Sequence, residues 1–133
     1  MSAGRPVPVP GSLSRPFWEA ARRGELVVPH CPACGLRFLV PETACPGCLS
    51  RDWAYEPSSG LGTVYSVTVV HRVPGPGFDT PFALAVVDLD DGAVLLTHVA
   101  DRAPDEVAIG MRVRVDFRPL TDEITLPYFV PAT

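Results

Sequence analysis

The sequence predicts a mainly β protein that begins with a short helix and carries a small metal-binding module before a β-barrel. Three observations lead to this prediction. All four cysteines lie in two Cys-x-x-Cys pairs between residues 31 and 48. Sixteen prolines and eleven glycines in 133 residues favour turns and short strands over long helices. Beyond residue 62, apolar and β-branched stretches alternate with turn-forming stretches, as in an all-β domain.

The composition is that of a globular chain, with 47% apolar and 20% charged residues. The formal net charge is −4, which argues against a nonspecific nucleic-acid binder, because such a protein needs a basic face. All eleven basic residues are arginine. This bias fits either the composition of the source genome or a need for guanidinium groups that grip phosphate or carboxylate.

The sequence gives no sign of export or of membrane insertion. No apolar run follows residues 1–6, so we expect no signal peptide, and no stretch approaches the length of a membrane span. We therefore expect a cytoplasmic protein, in which thiols stay reduced and free to bind metal.

Residues 1–24 are predicted to combine a proline-rich lead, extended or disordered, with one short helix. The helix is expected over residues 14–23, because Ser14 is a suitable N-cap and Gly24 a suitable stop. A helix of about ten residues is not stable alone. It therefore docks either on its own chain or on a partner protein.

Residues 25–57 are predicted to form a zinc ribbon around the two cysteine pairs, with a short strand at Arg37–Val40. Each pair turns tightly enough for both sulfur atoms to face one ion, so two pairs complete a tetrahedron of thiolates. Iron also suits such a site, and two disulfides or a redox-active dithiol are the alternatives. A module this small has little core of its own, and the metal substitutes for it. The predicted ligands of one structural zinc are Cys31, Cys34, Cys45 and Cys48.

Residues 58–133 are predicted to fold as a five-stranded barrel. The wider gap after the third strand fits a Greek-key barrel of the OB type. In the first strand, alternate residues are expected to share one face, namely Val64, Ser66, Thr68 and Val70. The five predicted strands are residues 62–72, 82–89, 93–99, 111–117 and 124–130.

The sequence contains no recognisable catalytic set. It has no Gly-x-Ser-x-Gly elbow, no phosphate loop and no dinucleotide-binding fingerprint. No cysteine remains once four bind metal, and a closed four-thiolate zinc has no open position at which to activate water. His71 beside Arg72, just before a long loop, is the one place that stands out. We therefore predict a protein that is not an enzyme.

The order of these signals resembles a known family. A Phe-Trp pair in a short helix precedes the two knuckles, and an Ile-Gly-x-x-Val segment and a Leu-Pro-Tyr-Phe ending follow them. This is similar to the acyl-CoA-associated OB-fold family with an N-terminal rubredoxin-like zinc ribbon. The residues that carry the resemblance are Phe17-Trp18, the four cysteines, Trp53, Ser59-Gly60-x-Gly62, Ile109-Gly110-x-x-Val113 and Leu126-Pro127-Tyr128-Phe129.

The resemblance implies a non-catalytic accessory subunit in lipid or steroid metabolism. Its partner would be a thiolase-fold enzyme, either a thiolase or a steroid side-chain retro-aldolase, in a heterotetramer with two copies of each chain. The subunit would help to form or stabilise the partner's acyl-CoA site. From their places in the sequence we expect acyl-CoA contacts at His71 and Arg72. We expect partner contacts at Phe17, Trp18, Tyr128 and Phe129.

Three alternatives remain open on sequence grounds. The partner could instead be a MaoC-like enoyl-CoA hydratase. The chain could bind nucleic acid, because zinc ribbons and OB folds both serve that purpose, with Arg112, Arg114 and Arg118 on its basic face. It could also carry electrons through iron held by the four thiolates.

Overall fold

The computed structural model describes residues 4–73 and 75–132. Within these residues the protein is mainly strand, with one α-helix and a 3₁₀ turn at Pro104–Glu106. The helix α1 spans Arg15–Arg22. The strands are β1 (Val27–His30), β2 (Ala54–Pro57), β3 (Leu61–Val70), β4 (Phe82–Leu89), β5 (Val94–Val99), β6 (Arg112–Pro119) and β7 (Thr125–Pro131).

The helix α1 lies where the sequence predicts it, and it docks on its own chain. Gly24 adopts a φ of 79° and its N–H donates to the carbonyl of Ala21, which ends the helix. The Ser14 hydroxyl does not cap the helix; it accepts a hydrogen bond from the Gly11 N–H at 3.1 Å instead. Ala20 and Ala21 are buried, so one helix face belongs to the interior of this chain.

The proline-rich lead is held against both halves of the molecule. The Tyr55 hydroxyl on β2 donates a 2.7 Å hydrogen bond to the carbonyl of Leu13. At the other end of the lead, the Arg5 guanidinium donates to the Tyr128 hydroxyl on β7 at 2.6 Å. Two hydrogen bonds thus tie the ends of residues 5–13 to the folded chain, while Val9 between them is 91% exposed.

The ribbon is a two-stranded antiparallel sheet, β1 with β2, and the cysteine pairs lie on the chain between these strands. The predicted strand at Arg37–Val40 is wrong, since this segment makes only one bridge, between His30 and Arg37. The pairing with β1 consists of this bridge and one hydrogen bond, from the Phe38 N–H to the carbonyl of Pro29, and it does not extend to Leu39 and Val40 in the described part of the chain. Phe38 packs against Trp53 beside the cysteines, whereas Leu39 packs against the barrel core.

The remaining five strands close into a barrel in the order β3-β4-β5-β7-β6, with β6 paired to β3. This arrangement confirms the predicted OB-type barrel. Leu26 and Val28 from the ribbon pack into the barrel core, so the two modules share one hydrophobic interior. Phe129 is fully buried in that interior. Its side chain is therefore a core element and not a surface for a partner.

A β-bulge at Tyr65 divides β3 into two halves. Val64 pairs with Val87, and Ser66 pairs with Val86, so Tyr65 is an extra residue and its side chain is 65% exposed. The bulge reverses the alternation, because Val64 faces the core before it and Val67 packs on the core after it. The prediction of one continuous face from residue 64 to residue 70 is therefore wrong.

At the junction between ribbon and barrel, two positions have no room for a side chain and require glycine. A Cβ at Gly60, where φ is 74°, would lie 2.5 Å from the Val115 side chain. A Cβ at Gly62 would lie 2.6 Å from the carbonyl oxygen of Asp88. The Ser-Gly-x-Gly segment thus lets β3 pass closely over β6 and β4.

The helices of the described residues include none with the length and apolar character needed to cross a membrane.

Candidate metal centre and binding clefts

The four cysteine sulfur atoms form one cluster, with all of them within 4.8 Å of one another. The Sγ atoms of Cys31 and Cys48 are 3.6 Å apart, as are those of Cys34 and Cys45. Four sulfurs at about 2.3 Å from a zinc ion stand roughly 3.8 Å apart at the edges of the tetrahedron. The donor set and its spacing therefore fit one structural zinc, as the sequence predicts.

Each cysteine pair is built on the same backbone turn. In the first pair, the Cys31 N–H donates to the carbonyl of Leu36 at 2.9 Å, and the Gly35 N–H donates to the carbonyl of Cys31 at 2.7 Å. In the second pair, the corresponding bonds are Cys45 N–H to the carbonyl of Ser50 and Leu49 N–H to the carbonyl of Cys45, both 2.8 Å. The repeated turn brings the two sulfurs of each pair to one side.

The electrostatics of the cluster favour a bound cation. Hydrogen bonds from the backbone of Cys34 and Ala33 lower the pKa of the Cys31 thiol to about 7. At Cys34 the backbone of Leu36 acts in the same direction, but burial and the neighbouring sulfurs outweigh it and raise the pKa to about 12. Four sulfurs this close share protons unless a cation replaces them. A closed set of four thiolates leaves no open position, so this zinc is structural.

His30 lies next to Cys31 without joining the cluster. Its Nδ1 atom is 2.8 Å from a carboxylate oxygen of Glu56, and Arg37 contacts the other oxygen of the same carboxylate at 3.3 Å. These contacts hold the imidazole on the β2 side of the ribbon.

An apolar groove of about 560 Å³ lies where α1, the ribbon loop, β5 and β7 meet. Phe17 and Trp18 form part of its wall, with their rings edge to face at a centroid distance of 5.2 Å. Leu96 and Val40 stand out into solvent here, 65% and 73% exposed. The apolar groove is lined by Arg5, Phe17, Trp18, Leu39, Val40, Val86, Val94–His98 and Leu126–Tyr128.

A second cleft, of about 430 Å³, opens between the lead, the β3–β4 loop and the β5, β6 and β7 strands. We call it the arginine cleft. Its aromatic wall contains Phe82 stacked on His98 at 4.1 Å, with Tyr128 edge-on to His98 at 5.1 Å. Burial, with a smaller effect of the Arg5 charge, lowers the pKa of His98 to about 4, so the imidazole is neutral at pH 7. Its charged lining residues are Arg5, Asp79, Arg102 and Arg118.

The predicted partner-binding and acyl-CoA-binding residues lie in different parts of the structure. Phe17, Trp18 and Tyr128 line the apolar groove. His71 and Arg72 are exposed and line neither the apolar groove nor the arginine cleft. Sequence reasoning missed Arg5, because a proline-rich lead carries no signal that it returns to the barrel.

The arginines proposed for a nucleic-acid face are largely neutralised. Arg112 makes a two-pronged contact with Asp90 at 2.8 Å, which lowers the pKa of that carboxyl group. Arg118 pairs with both Asp101 and Asp116 at 2.9 Å. Arg114 makes no ion pair among the described residues, so this face keeps one uncompensated guanidinium group, which is little charge to offer a phosphate backbone.

Two family models match successive parts of the chain. The model described as ChsH2, rubredoxin-like zinc ribbon domain, matches residues 18–54. The model described as ChsH2, C-terminal OB-fold domain, matches residues 55–118. The first of these begins inside α1, and their boundary falls within β2.

Individual relatives agree with these models. A probable enoyl-CoA hydratase alpha subunit of Thermomonospora curvata is 42% identical over 117 residues, which is 87% of this chain but only 37% of that protein. This chain thus spans less than half the length of the hydratase relative. A DUF35 domain-containing scaffold protein of Methanocaldococcus jannaschii is 32% identical over 101 residues, 74% of this chain and 71% of that one.

A solved structure of a related chain has the same fold. A chain of a structure described as Ltp2-ChsH2(DUF35) aldolase superposes with a TM-score of 0.86 at 38% identity, covering 96% of this chain and 100% of the other. The two chains therefore share one fold over nearly their whole length. The protein belongs to the ChsH2/DUF35 family, in which a rubredoxin-like zinc ribbon precedes an OB fold.

Proposed function

We propose that this chain is a non-catalytic accessory subunit of an acyl-CoA-processing enzyme, and that its partner is a thiolase-fold enzyme, either a thiolase or a steroid side-chain retro-aldolase. The observation that carries the proposal is the exposed apolar groove beside α1. The match to a chain from an aldolase assembly supports it. So does the scaffold description of the archaeal relative.

The apolar groove has the character of a protein-docking site. Large exposed apolar side chains that stand together mark an interaction surface, whereas single ones are ordinary. Here the exposed Val40 and Leu96 lie beside the half-buried Trp18, and tryptophan is among the residues that most often anchor interfaces. A partner that covers this surface would bury Leu96 and Val40, which the isolated chain leaves in water.

An accessory role fits the chemistry of the metal centre. The four thiolates complete the coordination of zinc, so the ion holds the ribbon together and has no position for substrate or for a reactive water. The chemistry of the complex would then belong to the partner. This subunit would help to form or stabilise the acyl-CoA site there, in an assembly with two copies of each chain.

The assignment of His71 and Arg72 to acyl-CoA stays a prediction. Both are exposed at the start of the β3–β4 loop, whose far end forms one wall of the arginine cleft. They would reach an acyl-CoA molecule only if it extends along this loop.

A MaoC-like enoyl-CoA hydratase is the second candidate partner. The relative from Thermomonospora curvata favours it, because that longer protein is described as a hydratase alpha subunit. The same groove would then serve a different fold, and the two candidates differ in the enzyme that is recovered with the chain.

The test is copurification of the tagged chain from its native extract, followed by identification of the partner and zinc analysis of the same sample. We expect a thiolase-fold enzyme together with one zinc per chain. Recovery of a hydratase would replace the first candidate with the second. A chain that copurifies with neither enzyme, at any salt concentration tried, would contradict the accessory role.

Groove variants give the quantitative form of this test. Replacement of Trp18 or Leu96 by alanine should weaken the partner complex at least tenfold, because each removes an apolar anchor worth roughly 1.4 kcal/mol or more. Ile109→Ala is the matched control, since Ile109 is 72% exposed and lies outside the groove. If Trp18→Ala lowers the stability of the isolated chain as much as it weakens the complex, α1 serves internal packing alone.

A further inference from the structure

We infer that the arginine cleft binds a nucleoside phosphate, that is, a ligand that joins a flat heteroaromatic ring to a phosphate group. The cleft lies at the end of the barrel where OB folds commonly hold their ligands, between the loop that follows the first barrel strand and the loop before the last one. Phe78, Asp79 and Pro81 come from the first of these loops, and Leu120 comes from the second. Its volume of about 430 Å³ is typical of small-molecule sites.

The charges in the cleft favour an anion. Arg5 and Arg102 form no ion pair with any carboxylate in the described part of the chain, although the whole chain is acidic. Arg118 is partly neutralised by its two aspartates, and Asp79 contributes one carboxylate to the wall. Two guanidinium groups without counter-ions therefore remain, and a phosphate group suits their planar, multiple-donor geometry.

The rings in the cleft favour a flat ligand. The Arg5 guanidinium lies 4.5 Å from the ring centroid of Phe78 and 5.8 Å from that of Tyr128, so it forms part of the aromatic wall, and its planar group can itself stack on a nucleobase. The neutral imidazole of His98 adds one hydrogen-bond donor and one acceptor without adding charge. Ring stacking and ring hydrogen bonds are the means by which proteins hold nucleobases.

The arginine cleft is continuous with the apolar groove. Four residues line both, namely Arg5, His98, Leu126 and Tyr128. A nucleoside phosphate bound here would therefore lie at the edge of the surface that meets the partner. The identification of this nucleotide with the adenosine 3′,5′-bisphosphate end of coenzyme A rests on the proposed function; binding of the nucleotide itself does not.

The experiment is calorimetric titration of the isolated full-length chain with adenosine 3′,5′-bisphosphate, ADP, adenosine and pyrophosphate. We expect the bisphosphate to bind at least tenfold more tightly than adenosine or pyrophosphate, because only a ligand with both parts uses both walls. Tighter binding of adenosine 3′,5′-bisphosphate than of ADP would assign the site to coenzyme A. Tighter binding of ADP would assign it to a free nucleotide. Absence of binding by either nucleotide at millimolar concentration would overturn the inference.

Variants locate the binding site. Arg102→Gln should weaken nucleotide binding about tenfold through loss of a charge-assisted contact. Arg51→Gln removes the same charge outside the cleft and should change binding less than twofold. Phe78→Leu should weaken the nucleotide but leave pyrophosphate unchanged. Equal losses in Arg51→Gln and Arg102→Gln, or a loss in Arg72→Gln alone, would place the nucleotide elsewhere and overturn the inference.

Two further outcomes separate this inference from the proposed function. A partner complex that forms normally with a chain that binds no nucleotide would overturn the inference and leave the accessory role intact. Nucleotide binding by a chain that copurifies with neither candidate enzyme would support the inference and contradict the accessory role. Binding of an eight-nucleotide single-stranded oligoadenylate at least a hundredfold more tightly than the bisphosphate would replace a nucleotide site with a nucleic-acid surface.

Discussion

The two cysteine turns of the ribbon have the same geometry but different sequences. Each has a buried first cysteine, Cys31 or Cys45, and an exposed second cysteine. Each requires a left-handed residue directly after the second cysteine. In the first turn that residue is Gly35, with a φ of 81°, and in the second it is Leu49, with a φ of 69°.

The presence of glycine in one turn and leucine in the other shows what determines the backbone conformation at this position. Glycine adopts positive φ without steric cost, whereas leucine there costs roughly 1–2 kcal/mol. The second turn nevertheless closes with the same two backbone hydrogen bonds as the first. The requirement that two sulfurs face one ion therefore outweighs the preference of the residue. We expect the second turn to be the strained half of the metal site.

The largest effect should come from removing one sulfur from either turn. Cys34→Ser and Cys48→Ser should each release the zinc and destabilise the chain by more than about 4 kcal/mol, because a tetrahedral site needs all four ligands. Metal content per chain and thermal unfolding measure the two losses. If one variant keeps a full equivalent of zinc, the turns are not equivalent as ligands.

A smaller effect should follow from Gly35→Ala in the first turn. Nothing lies within 4 Å of a Cβ built at this position, so the cost is the conformational one alone, about 1–2 kcal/mol. Denaturant unfolding of the zinc-loaded chain measures it. Gly11→Ala is a matched control, because its Cβ also meets open space and its φ is not left-handed. An equal loss in both variants would show that the left-handed residue of the first turn has no special role.

The smallest effect, and the one of opposite sign, should follow from Leu49→Gly. Relief of the left-handed strain gains about 1–2 kcal/mol, and the greater freedom of glycine in the unfolded chain removes about 0.5–1 kcal/mol of that gain. Leu49 is 77% exposed, so few contacts are lost. The zinc-loaded chain should therefore unfold at a slightly higher denaturant concentration. A clear loss of stability would mean that the leucine side chain has a packing role.

The sequence was sufficient for features that depend on local pattern. Cysteine spacing predicts the metal site, turn residues bound the helix α1, and the apolar stretches predict all five barrel strands. It was insufficient where tertiary contacts override the pattern. The bulge at Tyr65 is invisible in an alternating stretch. The segment at residues 37–40 has a strand-like composition, but its backbone pairing ends after Arg37 and Phe38.

The candidate sites show the same limit. Phe129 looks like half of an exposed aromatic pair, yet barrel closure buries it while leaving Tyr128 in both clefts. Arg5 joins Tyr128 across 123 positions of the chain, a distance over which sequence pattern carries no information. Residues brought together by closure of a barrel can be recognised only when the register of its strands is known.

The two tryptophans of the chain lie in two separate environments. Trp53 packs between Phe38 and Tyr55 and its indole N–H donates to the carbonyl of Glu42, beside the cysteine cluster. Trp18 lies in the apolar groove. The emission spectrum of the protein therefore contains two independent signals. A Trp18→Phe chain would fluoresce from the ribbon and follow metal occupancy, and a Trp53→Phe chain would fluoresce from the groove and follow its covering by a partner.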